Sequence, residues 1–275
     1  MSRVIECWSA EEIAYLSLVY PDVTTGRDDL LRGLPGRTWR AIGSKANSMG
    51  LKRQLFMQYS VIPYYFDVID NVEKAYYLGL MAADGYTTVR NGVGLKLHPK
   101  DRRLVEMFLP HLSPDYEIKD YSPTSSGFEL YNTHLHTTLQ SYGIVPHKHL
   151  SLRWPDVVPD HLTAPFILGM FDGDGCLSWE LDVSSAKGGF WRWTLLASEL
   201  MLWDVRDQLL GLVDVRVSEP KKMSSGNVYF IRINGRAVST VDDLMSHYPI
   251  GLSRKRIHGH PHTIAMSPDH DVDGI

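Results

Sequence analysis

The sequence predicts an α+β fold in which a small all-helical N-terminal module precedes two copies of a helix–β–β–helix–β–β–helix unit. Three observations predict it. The stretches YLGLMAADG (Tyr77–Gly85) and ILGMFDGDG (Ile167–Gly175) each hold a glycine inside an apolar run that ends in Asp-Gly, and Asp84 and Asp174 stand 90 residues apart. That period suits a small domain and is too long for one solenoid repeat. Segments of period-two alternation follow each run, and three short, separately punctuated helical stretches precede both. The chain of 275 residues, 44% hydrophobic and 22% charged, can bury sizeable cores. Its near-average composition excludes collagen-like, coiled-coil and wholly disordered chains.

The first element is SAEEIAYLSLVY, where Ser9 with Glu12 makes a capping box and Ile13, Leu16 and Tyr20 fall at helical spacing before Pro21. RDDLLRGL reads as a second short helix ended by Gly33, and LPGRTWRAIGSKANSMG as a third between Thr38 and Gly50. From Arg27 to Arg53 seven basic residues face two acidic ones, although the whole chain carries −4. Three short helices with a basic last one outline a helix-turn-helix, with Trp8 and Trp39 expected in its small core. We place this module at 1–55 and a linker at 56–70.

The first repeat, 71–150, continues with strand GVGLKLH, helix DRRLVEMFLPHL, strands near YEIKDY and FELYN, and a helix around Leu135–Tyr142. A proline-bearing linker is expected at 151–162. The second repeat, 163–262, offers CLSWELDVSS, with Leu177, Trp179, Leu181 and Val183 on one face. WRWTLLA, the helix SELMLWDVRDQLLGL, strands VDVRVSE and NVYFIRIN, and a helix near Val238–Ser246 follow. Residues 263–275 read as a flexible tail.

Chemistry concentrates at the two Asp-Gly ends. Gly79 and Gly169 weaken their helices by about 1 kcal/mol each relative to Ala, a cost that close backbone approach would offset. Gly85 and Gly175 read as left-handed C-caps. If the two helices pack parallel, Asp84 and Asp174 meet at the negative ends of two dipoles, an arrangement that calls for a cation. Oxygen donors with open water positions favour Mg²⁺, and a carboxylate pair holding metal suits phosphodiester hydrolysis. The HxH spacings of His147/His149 and His258/His260/His262 lack a second paired cluster and are not read as a zinc site.

The doubled motif resembles the two signatures of single-chain LAGLIDADG homing endonucleases, over about Glu73–His260. The resemblance implies two αββαββα domains related by a pseudo-two-fold axis, whose sheets form a β-saddle over the major groove of double-stranded DNA. It implies Asp84 and Asp174 as catalytic acids and metal ligands, with the backbone of Ala83 and Gly173 contributing. Lys148 and Lys255 would be the basic residues near the scissile phosphates, with Arg254 and Arg256 competing for the second place. Ala82 departs from the pattern, standing where the family carries an acid matching Asp172; that position is structural. The implied activity is a Mg²⁺-dependent double-strand break in a long, pseudo-symmetric site with short 3′ overhangs, Mn²⁺ or Ca²⁺ being able to substitute for binding. A non-cleaving RNA maturase or DNA-binding regulator on the same scaffold is the alternative.

On such a saddle the period-two rule selects Arg90, Lys96 and His98 in the first repeat as DNA-facing. In the second it selects Ser178, Glu180, Asp182, Arg192, Thr194, Arg216, Arg232 and Asn234. Trp179, Trp191 and Trp193 are expected to pack the sheet. The N-terminal module resembles a Myb/SANT helix-turn-helix and would contribute Arg37, Arg40, Lys45 and Lys52. No apolar run reaches the roughly 20 residues of a membrane span. With only Cys7 and Cys176 and no signal-peptide pattern, we expect a monomer inside a cell: cytoplasm or nucleoid of a bacterial or phage-infected cell, or an organelle. No splicing-type start residue or terminal His-Asn pair is evident, so the chain is not expected to be an intein itself; intron or intein homing remains open.

Overall fold

The computed structural model describes residues 7–22, 25–52, 59–182, 188–224 and 226–257. The chain divides into two compact units, one up to Gln58 and one from Tyr59 onward.

In the first unit α1 (Ala10–Val19), α2 (Arg27–Gly33) and α3 (Trp39–Ser48) surround Leu16, Leu34, Ile42 and Ala46. The expected capping box forms: the Glu12 N–H donates to Ser9 Oγ at 3.1 Å and the Ser9 N–H to Glu12 Oε2 at 2.8 Å. Thr38 caps α3. Gly50, at φ 68°, closes α3 as the Leu51 N–H reaches Ala46 O and the Gly50 N–H reaches Asn47 O, the paired bonds of a Schellman end. Trp8 packs on this core. Trp39 does not; it is half-buried with Arg27 5.7 Å from its ring centre.

Arg37, expected at DNA, is turned inward. Its Nε and Nη2 donate to the Glu12 carboxylate at 2.7 and 2.8 Å, Nη2 also reaches Cys7 O at 2.9 Å, and its guanidinium lies 4.5 Å over Trp8. These bonds, Arg37 first, hold the Glu12 carboxyl at about 2. A depressed carboxylate stabilises the fold above its unfolded value of 4.5, and the contribution is lost as pH falls toward 2. Arg37→Ala is therefore expected to accelerate amide exchange across α1 and α3 at neutral pH, with the difference from wild type shrinking in acid.

The second unit is one core built from both repeats. The first repeat runs α4 (Val72–Ala83), β1 (Gly85–Thr87), β2 (Gly92–Leu97), α5 (Arg102–Leu112), β3 (Lys119–Ser122), β4 (Ser125–Tyr131) and α6 (Thr133–Ser141). The second runs α7 (Thr163–Asp174), β5 (Gly175–Leu181), β6 (Gly189–Ala197), α8 (Glu199–Leu212), β7 (Lys221–Lys222), β8 (Tyr229–Asn234) and α9 (Ala237–Ser246). Each repeat makes an antiparallel four-stranded sheet of the same order, β1-β2-β4-β3 and β5-β6-β8-β7. Val93, Leu95, Phe128 and Leu130 cover the helices in one; Leu177, Trp193, Leu195, Ile231 and Ile233 do so in the other. Trp193 stacks on Phe171 at 4.7 Å, and Trp179 meets Trp191 edge-on at 5.4 Å.

Several expectations are corrected. Residues 59–70 are not a free linker: Phe66 and Ile69 are buried and the Ile62 N–H donates to Leu112 O. In the 151–162 joint Leu152, Val158 and Leu162 are likewise buried, because a crossover packed against both repeats gains apolar burial. VDVRVSE runs extended beside β8 but joins it only at Ser218, whose N–H donates to Arg232 O at 2.9 Å; the short strand is Lys221–Lys222 instead. Leu181, on the strand face that holds buried Leu177, is 82% exposed, and Val183 lies outside the described residues, as do His258, His260, His262 and the tail. Gly85 and Gly175 are not left-handed: Gly175 has φ −91° and ψ 158°, and Gly85 is not among the positive-φ glycines. Each helix passes directly into a strand, and a Cβ at Gly85 would sit 2.6 Å from Met81 O. The glycines serve crowding, not handedness.

Candidate active site

The site begins with two glycines. A Cβ at Gly79 would overlap Phe166 O and lie 3.0 Å from Met170 N, and one at Gly169 would overlap Tyr76 O and lie 2.8 Å from Leu80 N. Backbone therefore touches backbone, which explains helix-weakening glycines in two otherwise apolar helices. Further along, a Cβ at Gly173 would meet Ala83 Cβ and stand 2.9 Å from Asp84 Oδ2. Positions 76–83 thus pair with 166–173 in ascending order along both helices, so α4 and α7 are parallel and end together. Asp84 caps α4 and Asp174 is the last residue of α7.

The electrostatics agree with that meeting. Burial raises the Asp84 carboxyl to about 6, with the Asp174 charge as the next cause, while Lys148 and Lys255 pull it down. Asp174, although its edge opens to solvent, is also raised by desolvation against the pull of Lys148 and Lys255. Burial lowers both lysines; Asp174 and Asp84 oppose this at Lys148, and Asp172, Asp84 and Asp101 do so at Lys255. Two acids and two ammonium groups share one partly desolvated mouth.

Each lysine closes one helix end. Lys148 Nζ donates to Ala83 O at 2.6 Å and Gly85 O at 2.5 Å. Lys255 Nζ donates to Phe171 O, Asp172 O, Gly173 O and Gly175 O at 3.1, 2.7, 3.0 and 2.7 Å. A cation there satisfies orphan carbonyls and opposes the negative helix end. The carbonyls of Ala83 and Gly173, expected as metal donors, both accept from these lysines, so a cation would have to use their remaining lone pairs. Beside Lys148 a cavity of about 480 Å³ is lined by Ala83, Tyr86, His147, His149 and Asp174.

The competition among Arg254, Lys255 and Arg256 resolves by partner. Arg254 makes a two-pronged ion pair with Asp101 at 2.9 and 2.6 Å. Arg256 Nη1 lies 3.3 Å from Asp172 Oδ1, leaving Lys255 at the helix end. Buried Asp172 also accepts from Tyr76 OH at 2.9 Å and the Leu252 N–H at 2.8 Å; it ties α4, α7 and the segment after α9 together. Tyr76 and Asp101 were invisible to sequence reasoning, since their partners lie 96 and 153 residues away.

The second sheet brings most of its selected residues onto the face away from the core. Ser178, Arg192 and Asn234 form one register row, and Thr194 pairs with Arg232 in the next. Arg192 bonds Glu180 at 3.1 Å and Asn234 Oδ1 at 3.0 Å. Asp182 follows β5 at its open end, and Arg216 is exposed beside β8. In the first sheet only Lys96 is within a strand; Arg90 lies in the β1–β2 turn, and His98 accepts from the Lys100 N–H through Nδ1. Lys96 sits 4.0 Å over Tyr121 near Glu129, which takes the Tyr86 hydroxyl at 2.8 Å. Glu129 and its tyrosines escaped the sequence reading. In the N-terminal unit Arg40 and Lys52 are exposed and Lys45 half-buried.

Among the described residues no cluster of three or more His, Cys, Asp or Glu could hold a metal. The donor set at the mouth is two carboxylates, both raised by desolvation and Asp84 further by the Asp174 charge. All-oxygen donors of this kind suit a hard divalent cation. No helix among the described residues is long and apolar enough to cross a membrane.

No family model matches the chain, and no curated protein matches it. Among solved structures it is similar to meganuclease I-SmaMI bound to uncleavable DNA, at 11% identity and TM-score 0.48, covering 68% of this chain and 85% of that one. It is similar to the I-LtrWI LAGLIDADG homing endonuclease bound to target DNA, at 13% identity and TM-score 0.47, covering 71% and 95%. It is also similar to the LAGLIDADG meganuclease I-AabMI bound to uncleaved DNA, at 14% identity and TM-score 0.44, covering 66% and 85%.

Proposed function

We propose that the protein is a site-specific DNA endonuclease of LAGLIDADG type that cuts both strands of a long, pseudo-symmetric site. One observation carries the reading: two glycine-welded parallel helices end side by side in Asp84 and Asp174, with one lysine at each helix end. A divalent cation, Mg²⁺ by donor type, would be held by these two carboxylates and would polarise the scissile phosphates and acidify the attacking water. Asp84 and Asp174 supply the negative charge that retains it. Lys148 and Lys255, already donating to the helix ends, stand ready to offset charge on phosphate oxygens. Their lowered pKa values bring proton exchange with solvent closer to neutrality.

On this reading Ser178, Arg192, Thr194 and Asn234 of the second sheet face base edges, with Glu180 orienting Arg192. Arginine suits guanine and asparagine adenine. The two sheets carry different residues, so the half-sites differ. The N-terminal helices act as a helix-turn-helix whose contacts come from Arg40, Lys45 and Lys52, while Arg37 holds the module together. Breaks with short 3′ overhangs, a monomeric state and an intracellular setting complete the proposal. Incubating the full chain with a duplex library and Mg²⁺ and sequencing the ends is expected to return one family of related sites. Salt-dependent binding without new ends would assign the chain a non-cleaving role.

A further inference from the structure

At the outer edge of the second sheet lies an open cavity of about 650 Å³ lined by Arg206, Arg216, Lys221 and Arg232, with Glu219 as the one acidic lining residue. The four cations arrive from α8, the extended 213–219 segment, β7 and β8. Such convergence is unfavourable alone, because like charges repel and a guanidinium leaving water needs acceptors. Here the compensation is missing. The Nε atoms of Arg206 and Arg232 are buried with no hydrogen-bond partner. Arg206 has Asp207 3.4 Å away, but that carboxylate is 72% exposed, a weak counter-charge. Among the described residues Arg216, Lys221 and Arg232 make no ion pair.

Packing holds the guanidinium groups instead. Arg232 lies 4.1 Å over Phe230 and Arg206 5.6 Å from Trp203. The 216–221 segment is pinned to β8 where the Arg232 N–H donates to Ser218 Oγ at 2.8 Å. The charges are thus fixed in place without being neutralised, as an anion site requires. Arg232 is in register with Thr194, and Asn234, which also lines the cavity, with Arg192. The cavity therefore continues the sheet face beyond its last strand.

We propose that Arg206, Arg216, Lys221 and Arg232 form a seat for one phosphate-type oxyanion, presented by the backbone of a bound duplex. The proposal rests on the DNA reading above and adds Arg206 and Lys221, which lie outside the period-two selection. Guanidinium forks grip phosphate oxygens geometrically, while an ammonium adds point charge. A seat of this kind reads no base; it fixes the register of the second sheet on the duplex.

The test uses the full chain in EDTA, so that nothing is cut, with a mixed-sequence duplex over a salt series. The variant R206Q/K221Q is expected to bind about tenfold more weakly at low salt. Its plot of log affinity against log salt should flatten by about 0.9, one phosphate's share. R216Q, at an exposed position, is expected to weaken binding in the same direction and serves if the double variant melts early. Variants that bind with wild-type affinity and slope overturn the seat while leaving the DNA reading intact. A wild type without salt-dependent duplex binding overturns both. In a second arm, inorganic phosphate is added in thermal melts: stabilisation lost in R206Q/K221Q, with duplex binding unchanged, overturns the backbone assignment in favour of a free phosphate.

Discussion

Asp84→Asn and Asp174→Asn are each expected to reduce double-strand cleavage by about a thousandfold or more, since several kcal/mol of charge stabilisation is lost with either carboxylate. Duplex binding should persist, because the sheet face and the basic seat are untouched. The same change is expected to stabilise the metal-free protein. Asp84 has a folded pKa of about 6 against an ordinary 3.8, so its charged form is disfavoured by folding. The sign follows: no cost below about pH 4, a growing cost as pH rises toward 6, the full cost above. Asn carries none of it. Discounted for partial exposure, the gain at pH 8 is about 1–2 kcal/mol, a rise of several degrees in melting temperature that vanishes at pH 4. Mg²⁺ should then raise the melting temperature of wild type at pH 8 and that of Asp84→Asn far less. Equal Mg²⁺ stabilisation of both proteins, or full cleavage by either variant, would overturn the assignment.

Gly169→Ala is expected to destabilise the second unit by about 2–4 kcal/mol in urea unfolding, despite the roughly 1 kcal/mol that alanine adds to helix propensity. The new methyl would overlap Tyr76 O and crowd Leu80 N; both are backbone atoms of α4, and neither can swing aside. Separating the helices would also part Asp84 from Asp174, so cleavage should fall further than stability alone accounts for. Gly211→Ala is the control: no atom lies within 4 Å of the added Cβ in α8, and that variant is expected to gain a few tenths of a kcal/mol to about 1. A tolerated Gly169→Ala would mean the helix pair has slack.

The duplicated architecture was legible because its signals are local or repeated: Ser9 with Glu12, Thr38, the alternation of WRWTLLA, and a motif that recurs. The pairing of Asp84 with Asp174 was legible because two small residues, Gly79 and Gly169, interrupt apolar helices at matching places. Where pairing across the fold decides, the sequence is silent. Arg37 looked like a DNA contact because a basic run is read by sign, whereas Glu12 and Trp8 compete for it in space. The glycines of Asp-Gly looked like left-handed caps because that is the common use of glycine after a helix; here Met81 and Phe171 leave no room for a side chain. β1, three residues long, carries no periodicity to read. Asp101 and Arg254 meet across most of the second unit, and nothing near either residue announces the other.

The seam between α4 and α7 has a mechanical corollary. Tyr76 reaches from one helix to Asp172 on the other, and Asp172 holds the chain beyond α9, so the two halves are cross-braced where a hinge would otherwise lie. A body joined this way resists pivoting at the seam. On the proposed function, any bending required on docking would fall on the duplex, and sequences that flex readily at their centre would be favoured even where no side chain touches a base.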